Sequence, residues 1–141
     1  MRLFLDTSVL LAACASSAGA SREIFRLVVW NDWTLVGTPY VLEEVLHNLP
    51  KLPVPATSTW SRLRAQLLVY DDVLTLDRAA VFPTTKDRPI LFGALAWADA
   101  LLTLDRTDFG ELIGREFYGL PVLTPGMFLR RERSSARLRE S

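Results

Sequence analysis

The sequence predicts an α/β fold built on a mostly parallel sheet. Three short apolar segments, residues 2–5, 33–37 and 100–105, have the length and composition of strands buried in a sheet. Around them, apolar residues recur at helical spacing behind Ser, Thr, Asp or Pro residues that favour helix starts. Strands that alternate with helices indicate parallel pairing, and folds of this class bind ligands beyond the carboxyl ends of their strands.

Capping residues and prolines define the helices of the first half of the chain. Thr7 with Ser8 can cap a helix beginning near Val9, and Thr38 with Pro39 can supply the cap and first-turn proline of another. The other elements of this half are a helix from Ser21 to about Trp30, the loop LPKLPVPATS, and a helix from about Thr57 to Val69.

The second half continues the alternation of strands and helices. Its elements, in chain order, are strand 73–76, a loop containing Pro83, a helix from Arg88 and Pro89, strand 100–105, a short strand over 121–124, and a final helix from Pro125.

Composition is that of a single globular domain. Half of the 141 residues are hydrophobic, which is enough for one core. The single cysteine, Cys14, excludes a disulfide within the chain and a cysteine-based zinc site, and its apolar surroundings predict a buried thiol. Asp6 interrupts the first apolar stretch, so we predict no secretory signal, and no apolar run approaches the roughly 18 residues of a membrane span. We therefore expect a cytoplasmic protein.

Charge is distributed unevenly along the chain. Sixteen basic and sixteen acidic residues give a net charge of zero, yet residues 130–141 contain five arginines and only two glutamates. The last twelve residues therefore carry +3 and the rest of the chain −3. We predict a domain over residues 1–129 and an Arg-rich tail over 130–141. Such a tail can bind a polyanion or remain solvated.

Five carboxylates lie at strand ends or on the helices that follow strands: Asp6, Glu44, Asp87, Asp105 and Asp108. A buried carboxylate is costly unless a positive charge compensates for it. Because Mg²⁺ prefers a few acidic oxygen ligands, a sheet edge that gathers acids from four segments predicts a metal-dependent phosphodiesterase site.

Most of these acids also have a purely structural explanation. Asp6 and Asp87 suit helix N-caps, and Asp105 with Asp108 could form a capping and turn pair. On a helix, Glu44 lies about 100° from Glu43, and both flank the apolar side, so periodicity does not choose between them.

Other polar residues add to the prediction or narrow it. The hydroxyls of Thr7, Ser8 and Thr103 could hold a carboxylate or a metal-bound water in place. His47 is the only histidine and has no motif near it, which disfavours histidine-based catalysis. The patterns GxxxxGK[ST], GxGxxG and HExxH are absent, so nucleotide hydrolysis and zinc proteolysis have no support.

Taken together, the segments LDTSVLLAA, PYVLEEVLHNL and KDRPILFGALAWADALLTLDRTDF resemble the PIN domain, the nuclease fold of VapC-like toxins. The resemblance covers roughly residues 1–125. Its most specific part is the order Asp, Glu, Asp, then Asp-x-x-Asp after LLT. It implies a three-layer α/β/α sandwich with a central, mostly parallel sheet. It also implies that Asp6, Asp87, Asp105 and Asp108, with Glu44 rather than Glu43, hold Mg²⁺ or Mn²⁺ and carry catalysis.

The resemblance implies a function and a set of partners. The function is metal-dependent endoribonuclease activity, and the partners are an RNA substrate, a small antitoxin protein and often a second copy of the chain. Arg130, Arg131 and Arg133 could contact RNA phosphates. Two alternatives remain. One is an α/β phosphatase with an Asp6 nucleophile, for which Ser8 stands where a second acid is usual. The other is a catalytically inactive PIN-like module that binds RNA or protein.

Overall fold

The computed structural model describes residues 1–53, 55–73 and 87–141. Within these ranges the strands are β1 (Arg2–Leu5), β2 (Thr34–Gly37), β3 (Leu67–Val69), β4 (Ala100–Leu102), β5 (Arg115–Phe117) and β6 (Leu120–Leu123). The helices are α1 (Thr7–Ala15), α2 (Ala20–Leu27), α3 (Pro39–Asn48), α4 (Thr57–Arg64), α5 (Arg88–Trp97), α6 (Arg106–Phe109) and α7 (Pro125–Ser134), with 3₁₀ turns at Val28–Trp30 and Leu49–Lys51.

The six strands form one sheet in the order β3-β2-β1-β4-β6-β5. Every neighbouring pair is parallel except β5 with β6. The predicted α/β fold with a mostly parallel sheet is therefore confirmed. From β1 the chain adds β2 and β3 on one side, whereas β4 and β6 continue on the other. This reversal between β1 and β4 is the type of position at which open α/β sheets bind ligands.

Helices cover both faces of the sheet. Leu3, Phe4 and Leu5 in β1 are all 0% exposed, and successive side chains of a strand point to opposite faces. Helix α5 packs on β1 and β4, while α1 and α7 pack against α2. Gly93 lets α5 approach closely, because a Cβ there would lie 3.2 Å from Cε2 of Phe4. The arrangement agrees with a PIN-like three-layer sandwich.

The edge of the sheet was not where the sequence predicted it. The helix expected from Thr57 to Val69 ends at Arg64, and Leu67–Val69 forms the edge strand β3. Leu67 is buried and pairs in register with Leu35 of β2. Apolar residues at 63, 67 and 68 fit helical spacing, so the pattern hid a strand of three residues.

Several predicted boundaries also change. Val73 lies outside any strand, while residues 74–76 and the loop containing Pro83 fall outside the described part of the chain. The strand predicted over 100–105 ends at Leu102. Strand β5, with the sequence REF, was missed because two of its three side chains are charged and exposed. It pairs only with β6, at the sheet edge.

Helix α3 begins as predicted, but its cap is different. Thr38 stands at the N-cap position and its side chain makes no capping hydrogen bond. Instead, the Asp72 carboxylate accepts hydrogen bonds from the N–H of Tyr40 at 3.1 and 3.3 Å. The cap therefore comes from a residue 32 positions away, which local sequence reasoning could not find.

The C-terminal residues continue from the sheet without a break. Thr124 caps α7 by accepting the N–H of Met127 at 3.1 Å, and the helix crosses the predicted boundary at residue 129. Beyond it, the backbone of Arg139 exchanges two hydrogen bonds with the Asn31 side chain, at 2.8 and 3.0 Å. The division into residues 1–129 and 130–141 stays a prediction. Among the described residues, no helix has both the length and the hydropathy that a membrane span requires.

Candidate metal centre

Asp6 lies directly after β1, where it is 2% exposed and serves as the N-cap of α1. Its Oδ1 accepts the N–H of Thr7 at 2.7 Å. Its Oδ2 accepts the hydroxyl of Ser8 at 2.7 Å and that of Thr103 at 2.8 Å. The predicted role of Asp6 as a helix N-cap is thus correct. Capping alone, however, does not require a carboxylate to be this deeply buried.

Burial raises the pKa of the Asp6 carboxyl above its ordinary value. The hydrogen bonds from Ser8, Thr103 and Thr7 oppose this increase, and the negative charge of Asp105 adds to it. A raised folded-state pKa means that the native state favours the protonated form. Asp6 therefore contributes stability below the pKa of the unfolded chain, and this is lost as pH rises through the folded pKa. A nearby cation would oppose the increase in pKa, because it favours the charged form of the carboxyl.

Hydroxyl groups connect the ends of β1 and β4. Thr103 follows β4 directly, is 0% exposed, and accepts the N–H of Asp105 at 3.1 Å while donating to Asp6. Ser8 accepts the N–H of Leu104 at 3.0 Å and also donates to Asp6. These bonds fix the loop before α6 relative to the start of α1. They hold together the ends of β1 and β4, between which the order of the strands reverses.

Asp105, Asp108 and Asp87 form the acidic cluster of the structure. Asp105 caps α6, since its Oδ1 accepts the N–H of Thr107 at 3.1 Å and that of Asp108 at 3.0 Å. Asp87 precedes α5 and is 7% exposed, whereas the other two are half-buried. Each of the three supplies one carboxylate oxygen within 4.8 Å of the others. Three oxygen donors converging in this way suit Mg²⁺ or Mn²⁺, which prefer such ligands.

Glu44 is linked to the Asp6 side of the site through Thr7. It is half-buried on α3, and it accepts the hydroxyl of Thr7 at 2.8 Å. Glu43 is exposed. The two adjacent glutamates, which periodicity could not tell apart, therefore have different environments, and the one matched to the PIN motif contacts the residue next to Asp6.

The structure thus brings the predicted acids together in two linked groups. Asp87, Asp105 and Asp108 each place one carboxylate oxygen within 4.8 Å of the others. Asp6 is connected to Asp105 through Thr103, and Glu44 is bonded to Thr7, the residue after Asp6. His47 is exposed on α3, and Cys14 is buried and free, as predicted. Sequence reasoning placed Thr7 only beside Asp6. Its hydrogen bond to Glu44 joins residues 37 positions apart, and no local pattern signals it.

Comparison with known proteins supports the fold. No protein-family model matches the chain, and no curated protein matches its sequence. Among solved structures, the fold is similar to a chain in the crystal structure of VapBC2 from Rickettsia felis bound to a DNA fragment from their promoter. The TM-score is 0.62 at 17% sequence identity, with 86% of this chain and 97% of that chain covered. The class defined by fold and site is therefore an α/β protein with a carboxylate cluster where the strand order reverses, between β1 and β4.

Proposed function

We propose that this protein is a metal-dependent endoribonuclease of the VapC-like PIN class. The observation that carries the proposal is the convergence of Asp87, Asp105 and Asp108 to within 4.8 Å, beside the buried Asp6. A set of oxygen donors at the carboxyl ends of parallel strands suits a divalent ion and a phosphate. The similarity to a chain of a VapBC complex supports the same class of protein.

In this proposal, each acid has a role set by its surroundings. Asp87, Asp105 and Asp108 would hold Mg²⁺ or Mn²⁺, and Asp6 would face the ion as a ligand or through water. A bound ion lowers the pKa of its water and neutralises charge that develops on the phosphate.

Glu44 would accept a proton from the attacking water or orient that water. The Thr7 hydroxyl fixes the position of the Glu44 carboxylate.

Two hydroxyl groups act as positioning groups for Asp6 in this scheme. Ser8 and Thr103 would keep Asp6 oriented toward the cluster, since both donate to the same carboxylate oxygen. Groups that orient metal ligands in this way typically change metal affinity or activity by roughly 10- to 100-fold when removed.

The two glutamates allow a matched test of the site. Glu44→Gln should lower the rate of RNA cleavage by roughly 10- to 100-fold, because it removes the charge of the carboxylate that Thr7 holds while keeping the shape of the side chain. Glu43→Gln should leave the rate unchanged, because Glu43 is exposed on the same helix. Initial rates of both variants on one labelled RNA measure the difference, and the reverse order would contradict the assignment of Glu44.

Two alternative functions have weaker support. A phosphatase that uses Asp6 as its nucleophile needs a reachable carboxylate, but Asp6 is 2% exposed and both its oxygens accept hydrogen bonds. A non-catalytic RNA- or protein-binding module has no need for three carboxylates within 4.8 Å.

One experiment separates the nuclease from the non-catalytic binding module. The purified protein would be incubated with a panel of tRNAs and other structured RNAs in Mg²⁺, Mn²⁺ or EDTA. Cleavage that requires metal supports the nuclease, and binding without cleavage in all conditions contradicts it.

We further propose that the protein acts as the toxin of a toxin–antitoxin pair in the cytoplasm. This rests on the similarity to a chain of a VapBC complex. The expected partner is a small antitoxin protein, and self-association into a homodimer is part of the proposal. Co-expression with a short reading frame beside this gene tests for the antitoxin. Light scattering of the purified protein tests for the homodimer.

A further inference from the structure

A basic cleft lies along the C-terminal part of helix α7. It has a volume of about 540 Å³ and is called the α7 cleft here. Its lining residues are Met127, Arg130, Arg131, Ser134, Ser135 and Arg137. None of the residues of the acidic cluster lines this cleft.

The α7 cleft runs away from the edge of the sheet that holds the acids. Helix α7 starts directly after β6, whose carboxyl end is at the same edge as those of β1 and β4 because these strands are parallel. Its C-terminal extension is bonded to Asn31, just before β2, at the opposite edge. A helix of ten residues spans about 15 Å. The α7 cleft therefore extends from Met127, near the acidic edge, down the side of the domain.

Arginines in the α7 cleft exceed the acids available to neutralise them. Arg137 pairs with the buried Glu132 at 2.9 Å, and Arg133 pairs with Glu140 at 2.8 Å, which uses both glutamates of residues 130–141. Arg130 and Arg131 are exposed and form no ion pair with an acid in residues 1–53, 55–73 or 87–141. The Arg130 guanidinium folds back toward the start of α7, 3.5 Å from where a Cβ on Gly126 would lie.

We propose that the α7 cleft binds backbone phosphates of the RNA strand that extends from the metal centre. This inference rests on the proposed ribonuclease function and defines its substrate as an RNA long enough to reach both sites. Arginine forks and serine hydroxyls suit phosphate oxygens. A protein partner would need an apolar centre to its interface, and Met127 is the only apolar lining residue.

The salt dependence of RNA binding tests this proposal without relying on cleavage. A labelled single-stranded RNA of 20 nucleotides would be titrated with the full chain in EDTA at several salt concentrations. For a single strand, each phosphate contact contributes about 0.7 to the slope of log K against log salt. The double variant Arg130→Gln with Arg131→Gln should therefore reduce the slope by about 1.4 and weaken binding at 0.1 M salt by roughly 25-fold.

Controls separate the α7 cleft from general electrostatics and from the nuclease. The matched control is Arg62→Gln with Arg64→Gln, which removes two exposed arginines of α4 and should leave the slope unchanged. Titration in EDTA keeps metal-dependent cleavage out of the measurement.

Three outcomes overturn the proposal. They are an unchanged slope in the α7 variant, an equal loss in the α4 control, or binding of a polyglutamate peptide together with no binding of RNA. A wild type that binds through Arg130 and Arg131 but never cleaves would instead overturn only the proposed nuclease function.

Discussion

Replacing Asp105 with Asn is expected to reduce metal-dependent RNA cleavage by about 10²- to 10³-fold while the fold remains intact. The carboxylate is one of three that converge within 4.8 Å, and losing its charge weakens the hold on a divalent ion. Stabilisation of phosphate charge by a metal contributes several kcal/mol, which corresponds to this range of rates. The fold should survive, because an asparagine oxygen can still accept the N–H groups of Thr107 and Asp108.

Single-turnover cleavage of one RNA in Mg²⁺, with circular dichroism of each variant, measures this effect. Asp6→Asn should give a loss of similar size. Asp32→Asn is the matched control, since its side chain is exposed at the opposite edge of the sheet. Full activity in both the Asp6 and Asp105 variants, with metal still required, would show that these acids only cap helices.

The strand-end acids could be predicted because their positions depend on local sequence. An apolar segment that ends in a carboxylate fixes both the strand and the edge at which the side chain emerges, and parallel strands bring such edges together. For this reason Asp6 and Asp105 were expected at the carboxyl edge of the sheet before the order of strands was known. The prediction needed only that β1 and β4 are parallel, and they are direct neighbours.

Features that depend on long-range contacts could not be predicted. Helical periodicity could not choose between Glu43 and Glu44, and only the family resemblance favoured Glu44, because the two differ in a contact with Thr7 that forms only in the folded protein. Strand β3 forms because Leu67 has Leu35 to pair with, although its sequence also suits the end of a helix. Tertiary pairing decides such short segments, since the intrinsic preference of three residues is small.

Residues 130–141 are a further case in which the sequence reveals the charge but not where the fold places it. Their charge was evident from the sequence, which predicted either contact with RNA phosphates or a solvated tail. Helix α7, however, carries these residues away from the edge that holds the acids, and Asn31 holds the extension at the other end of the sheet. An RNA that contacts both the acidic cluster and the α7 cleft must therefore extend along the side of the domain.

Metal ions should stabilise this protein against thermal unfolding. Carboxylates within 4.8 Å of one another repel when no cation is present, and the raised pKa of the buried Asp6 shows that its charged form is disfavoured there. An ion that binds only the folded state stabilises it by roughly 2.7 kcal/mol at a hundredfold excess over its Kd. For a chain near this size, that corresponds to a rise in Tm of roughly 5–10 °C. Melting curves in EDTA and in millimolar Mn²⁺ or Mg²⁺, at matched ionic strength, measure the rise.

Asp105→Asn should then behave unlike an ordinary destabilising substitution. In EDTA its Tm should equal or exceed that of the wild type, because one repelling charge is removed while the cap of α6 is kept. In Mn²⁺ it should lose most of the metal-induced rise, whereas Asp32→Asn should keep it. A wild type that melts identically with and without metal, together with a variant that is simply destabilised, would mean that the three acids are turn formers. The converging oxygens would then have no role in metal binding, and the nuclease proposal would lose its physical basis.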